Sequence, residues 1–209
     1  DRVIARVHAA RRESIMRNHS ATHLMHKALR EVLGDHVSQK GSLVDSQRLR
    51  FDFLHGAPLS TDECRAIERV VNAEICANHC IDTTIMTPAA AAQSGAMALF
   101  GEKYGESVRV LSMGTFSKEL CGGTHAARTG DIGYFKIISE SGVAAGVRRL
   151  EAVTGAQAVL MAAQQEQQLS ELADLLKSPK DKLLTKVLSV IEHAKELEKT
   201  CARLQEKLA

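Results

Sequence analysis

Nine histidines and five cysteines are spread along this 209-residue chain, and two small groups of them have spacings suited to holding a metal. His19 and His23 stand four residues apart. On a helix they share one face about 40° apart, with His26 about 20° from His19 on the other side. Ile15, Met16, Leu29 and Leu33 fall on the same face and are expected to be buried. Buried imidazoles need partners, because an unpaired buried polar group costs about 1–3 kcal/mol. A metal ion satisfies two imidazoles at once; a hydrogen-bonded pair of core histidines does so too, and spacing alone does not separate the two. The second group is Cys121-Gly-Gly-Thr-His125, after a strand-like stretch from Phe116 to Leu120. Its glycines permit a tight turn that aims thiolate and imidazole at one spot. That is half of a tetrahedral zinc site, or else a glycine turn with an incidental thiol. Together, His19, His23, Cys121 and His125 supply three nitrogens and one sulfur, a set that suits Zn²⁺ rather than Mg²⁺ or Ca²⁺.

The other candidates are weaker. His79 and Cys80 are adjacent and point to opposite sides of a strand, while Cys64 and Cys76 are expected to pack on a helix. His8, His36, His55 and His193 are expected on surfaces or loops.

The elements that must position these groups can be laid out along the chain. A helix is expected from about Arg11 to Leu33, stopped by Gly34. Strand-like runs cover 48–54, 80–87, 107–113, 116–121, 132–140 and 147–154, with helices over 60–78 and 88–99. Strands and helices do not alternate strictly, which indicates an α+β fold with a largely antiparallel sheet packed with helices. All seven aromatic residues fall between 51 and 135, and Gly155 is the last glycine. A body over 1–155 is therefore expected to precede a helical tail over 156–209. In the tail, Ser178-Pro179 breaks one helix from the next. Leu183, Val187, Val190, Ala194, Leu197, Cys201, Leu204 and Leu208 then alternate steps of four and three, a heptad seam. The tail can be a helical hairpin, a coiled coil with another chain, or an amphipathic helix lying on the body.

Composition excludes several classes. Lys and Arg number 27 against 25 Asp and Glu, so no overall charge excess drives the chain onto nucleic acid or membrane; such binding must use local patches. No run approaches the ~18 apolar residues that a spanning helix needs, and the first residues, DRVIARVHAARR, lack the apolar core of a signal peptide. An odd, irregularly spaced set of five cysteines argues for a reducing cytosol rather than a disulfide framework. With no initiator Met and an end inside a helical pattern, the chain is expected to be part of something longer.

Longer motifs carry a resemblance. NHSATHLMHKALREVLGDHVSQKGSLV (18–44), RLRFDF (48–53), GAMALFGEKYG (95–105), LCGGTHAARTGDIG (120–133) and ESGVAAGVRRLEAVTG (140–155) resemble, in order, the editing region of bacterial alanyl-tRNA synthetase. The tail resembles the start of the helical connector to that family's C-terminal domain. Free-standing AlaX proteins and the threonyl-tRNA synthetase editing domain share the two His/Cys pairs. The resemblance implies an AlaX-like fold and a deacylase that removes serine or glycine wrongly esterified to alanine tRNA. It implies Zn²⁺ on His19, His23, Cys121 and His125, with Cys121 also counted among the reacting groups. Gln39 matches a pocket position and Thr22 one linked to reading the serine hydroxyl. It places the ATP-dependent aminoacylation domain outside this chain and the protein in the cytoplasm. A non-catalytic, zinc-stabilised tRNA-binding module and a free-standing AlaX-type protein are the competing readings.

Discrimination by hydroxyl is chemically sound: a site built to bond that hydroxyl leaves polar groups unpaired when alanine enters. Without the resemblance, Thr22 reads equally as a helix threonine bonding its own i−4 carbonyl, and Gln39 as a solvated loop residue. Cations for the acceptor end are sought in Lys40, Arg48, Arg50, Arg148 and Arg149, in the N-terminal arginines 2, 6, 11, 12 and 17, and in Arg128 and Lys136.

Overall fold

The computed structural model describes residues 3–97 and 105–208. Arg2 and residues 98–104, which include Phe100, Tyr104 and the end of the expected 88–99 helix, lie outside them. In chain order the elements are α1 (Ala9–Leu33), β1 (Gln39–Val44), β2 (Leu49–Leu54), α2 (Thr61–Ala77), β3 (Ile81–Met86), α3 (Pro88–Gln93), β4 (Val108–Met113), β5 (Ser117–Leu120), β6 (Phe135–Ala144), β7 (Val147–Thr154), α4 (Gly155–Leu175) and α5 (Leu183–Leu208). The chain divides into two compact units, 1–159 and 160–209, with the boundary just inside α4.

The first unit is α+β, and its strands form two antiparallel sheets, β1-β2-β7-β6 and β3-β4-β5. The long helix α1 is capped by His8, whose ring accepts the Arg11 N–H at 3.2 Å; this histidine is a helix cap rather than an idle surface group. Leu24, Met25 and Leu29 of α1 are fully buried in one core with Phe51 and Phe53 of β2, Leu150 of β7 and Ile67 and Val71 of α2. Leu111 and Met113 of β4 join the same core, so the small sheet also packs inward. A lesser cluster of Ala91, Val108, Val110 and Leu120 sits between α3 and the small sheet. Helix α2 starts at a capping box: Ser60 Oγ accepts the Glu63 N–H at 3.2 Å, and the Glu63 carboxylate accepts the Ser60 N–H at 2.7 Å.

Two expectations change. The polar segment holding Gln39 is not a loop but the edge strand β1, because pairing with β2 takes up its backbone through a bulge between Gln39 and Gly41. Helix α3 ends at Gln93 rather than running to 99, since Gly95 adopts φ +75°, outside the helical region.

In the second unit, Pro179 and a short 3₁₀ turn (Lys180–Lys182) separate α5 from the preceding helix. No residue of α5 is buried; Leu197 and Leu204 of the seam are each 51% exposed.

Candidate metal centre

Strand β5 runs directly into the Cys121 loop. Its register against β4 pairs Leu111 with Glu119 and Met113 with Ser117, so the odd-numbered residues of β5 face the core beside α1. The ladder continues one step beyond the strand, where the Cys121 N–H bonds the Arg109 carbonyl at 3.0 Å. The loop then turns back at Gly122-Gly123 and is pinned from two sides. Arg109 donates to the Gly123 carbonyl and, at 3.3 Å, to Thr83 Oγ1. On the other side, Ser20 Oγ of α1 accepts the Ala126 N–H at 3.1 Å and lies 3.2 Å from His125 Nδ1. Gly123 presses so closely on His19 that a Cβ placed there would stand 2.2 Å from the ring carbon Cε1.

These constraints bring His19 and His23 of α1 together with Cys121 and His125. One donor atom from each lies within 4.8 Å of the other three. Cys121 Sγ stands 3.2 Å from His125 Nε2 and 3.5 Å from His19 Nε2. Donors about 2.0–2.3 Å from a shared tetrahedral ion stand roughly 3.3–3.8 Å apart, so the group has the dimensions to hold one. His23 Nε2 is buried and has no hydrogen-bond partner, an orphan that an ion would satisfy. Three imidazoles and a thiolate are a borderline-soft set, which fits Zn²⁺.

The electrostatics favour a ligating thiolate. Burial alone would raise the Cys121 thiol, but hydrogen bonds from His125 and His19, with the His23 ring close by, hold its pKa down at about 3. Burial would likewise lower His23, yet Cys121 and Glu119 hold it up at about 9. His125 is shifted down, chiefly by burial. Glu119, against the pull of burial, is held at about 2 by His23 and His26.

Glu119 is the residue that sequence reasoning missed. Its carboxylate lies 2.7 Å from His23 Nδ1 and 3.4 Å from His26 Nδ1. His26 is outside the four-donor group and touches this same carboxylate. The available signal was alternation: Glu119 lies two residues before Cys121, on the same strand face.

The remaining candidates are distributed as follows. Thr22 is buried on α1, and its hydroxyl donates to the Asn18 carbonyl at 2.8 Å, the ordinary bond of a helix threonine. Gln39, at the start of β1, bonds Ser42 Oγ at 3.2 Å. Most of the proposed RNA-binding cations are ion-paired on the large sheet. Arg149 grips Asp52 at 2.7 and 2.8 Å with Arg50 3.7 Å away, Arg48 reaches Glu151 at 3.1 Å, and Arg148 donates to Glu140 at 2.6 Å. Lys40 is exposed and has no ion pair among the described residues. Arg128 is tied to Asn78 and Cys80, Lys136 to Glu68, and Arg17 to the Asp131 carbonyl.

A family model, the threonyl and alanyl tRNA synthetase second additional domain, matches residues 108–151, the stretch that carries Glu119, Cys121 and His125. All 209 residues align with an alanine–tRNA ligase of Nitrosomonas eutropha at 54% identity and with one of Halorhodospira halophila at 57%. The chain spans 24% of the length of each, about a quarter of the curated relatives it matches. No helix among the described residues is long and apolar enough to cross a membrane. End to end, the chain is thus similar to a quarter-length stretch of these alanine–tRNA ligases, and within it residues 108–151 match the second additional domain of threonyl and alanyl tRNA synthetases.

Proposed function

We propose that this chain is an aminoacyl-tRNA deacylase centre of an alanine–tRNA ligase, hydrolysing the ester that joins serine or glycine to alanine tRNA. The observation that carries the reading is the convergence of His19, His23, Cys121 and His125 from segments about a hundred residues apart in the chain. Bound there, Zn²⁺ would supply positive charge to position the substrate and its attacking water. Selection would rest on the chain's own polar groups. The Thr22 hydroxyl spends its proton on Asn18 and keeps lone pairs to accept a bond from a serine hydroxyl. The Gln39 amide, bonded through nitrogen to Ser42, keeps its carbonyl available. Alanine offers neither group a partner.

Residues 1–155 would form the editing domain and 156–209 a helical hairpin or coiled-coil tail, whose exposed seam is suited to self-association. The partner would be the acceptor end of the tRNA, held through phosphates by Lys40, Arg48, Arg50, Arg148 and Arg149 as a group, and the compartment the cytoplasm. The reading is tested by deacylation of seryl-tRNA for alanine. The chain should release serine and Cys121→Ala should not. Four protein donors close a tetrahedral shell, whereas catalytic zinc usually keeps a position open. That favours, as the second reading, a zinc-stabilised tRNA-binding module. A chain that binds the tRNA and the metal but releases no serine would establish it in place of the first.

A further inference from the structure

Glu119 is a buried carboxylate, 4% exposed, with no Lys or Arg partner among the described residues. Burying an anion is costly unless its surroundings compensate. Its compensation comes from two imidazoles, His23 at 2.7 Å and His26 at 3.4 Å, and from Ser117 Oγ, which donates at 3.3 Å. An ionised carboxylate only accepts hydrogen bonds, so the imidazole nitrogen facing it must carry the proton. To ligate an ion, His23 must be neutral and has one proton to place; once Nδ1 holds it, Nε2 presents a lone pair. In His23, Nε2 is the buried atom without a partner, in a ring whose centroid lies 5.3 Å from that of His19 and 5.1 Å from that of His125.

We propose that Glu119 is the positioning residue of the metal centre: by accepting the Nδ1–H of His23 it fixes that ring's orientation and tautomer and makes Nε2 the ligand nitrogen. This rests on the metal-binding reading above. His26 meets the same carboxylate at 3.4 Å and its Nε2 is likewise buried without a partner, but it stays outside the donor group, so Glu119 acts on the site through His23.

The test compares zinc affinity, by competition with a chromophoric chelator, in the full chain and its Glu119→Ala and Glu119→Gln variants. Loss of an outer-shell partner of a metal ligand typically costs about 10–100-fold in affinity. Glu119→Ala should show a loss in that range. Glu119→Gln should recover part of it, because the amide carbonyl can still accept the Nδ1–H. Long-range ¹H–¹⁵N spectra of histidine-labelled, zinc-loaded chain should show His23 protonated at Nδ1. A merely structural role would lower the melting temperature of both variants without ordering their zinc affinities in this way. If Glu119→Ala does not fold, the glutamine variant and the wild-type spectrum decide. Unchanged zinc affinity in a folded variant, or His23 protonated at Nε2 in the loaded wild type, overturns the proposal alone. A wild type that takes up no zinc overturns the metal reading and this proposal with it.

Discussion

Replacing Gly123 with alanine should empty the metal centre without unfolding the domain. The added Cβ would stand 2.2 Å from His19 Cε1 and 2.7 Å from Nδ1. Carbon atoms settle about 3.5–4.0 Å apart, so the ring must retreat by roughly 1.3–1.8 Å. Metal–ligand distances tolerate only about 0.2 Å. The loop cannot yield in its place: Arg109 holds the Gly123 carbonyl and the Cys121 N–H, and Ser20 holds the Ala126 N–H. Gly123 is not in the left-handed region, so alanine there carries no backbone strain and the effect is the collision with His19. With His19 displaced, zinc affinity should fall by at least about 100-fold, the upper end of what loss of an outer-shell partner costs. Gly122→Ala is the control, because nothing lies within 4 Å of its added Cβ. Equilibrium competition with a chromophoric chelator, alongside thermal melts of the zinc-free proteins, measures both effects. If Gly123→Ala binds zinc as tightly as wild type, or Gly122→Ala binds as weakly, the geometry argued here is wrong.

Three further outcomes follow from the same structure. Asp52→Asn should cost about 1–3 kcal/mol, since it breaks the two-point grip of Arg149 on a buried carboxylate. Those hydrogen bonds hold the Asp52 carboxyl below the ordinary range, so its contribution is full above about pH 4 and is lost as pH falls through the lowered native value. The gap between wild-type and variant melting temperatures should therefore close in acid, and a gap that stays constant with pH contradicts the assignment. Thr22→Val, nearly isosteric, should change stability by less than about 1.5 kcal/mol because only one helix hydroxyl bond is lost. It should also slow release of serine from alanine tRNA, and an unchanged rate removes Thr22 from selectivity. Leu197→Glu with Leu204→Glu should abolish self-association by sedimentation while leaving the melting of the first unit alone; unchanged mass removes the seam as an assembly device.

The part of the fold legible in sequence was the part governed by local physics. Gly34 ends α1, Ser60 and Glu63 open α2, and Pro179 breaks the tail, each through chemistry within a few residues. Alternation marked the strands that bury Phe51 and Phe53 or Leu111 and Met113. Strand β1 escaped because QKGSLV lacks an apolar face and contains a glycine, and only pairing with β2 makes it a strand. The helix spacing and the CGGTH turn pointed to the four donors, since both signals are local. Their meeting was not local: it depends on β5 lying beside α1. Glu119 was lost for the same reason, because a glutamate in a short strand reads as solvated until the opposite helix is known to bring two histidines onto it. The arginine pairings depend on register, Asp52 opposite Arg149 across β2 and β7, which composition does not reveal.

Metal content of the purified, zinc-supplied chain bears on the central claim most directly. One zinc per chain is expected in the wild type, with Cys121→Ala depleted under the same conditions. A wild type without bound metal, or a Cys121→Ala chain that keeps a full equivalent, would contradict the claim that His19, His23, Cys121 and His125 together hold the ion.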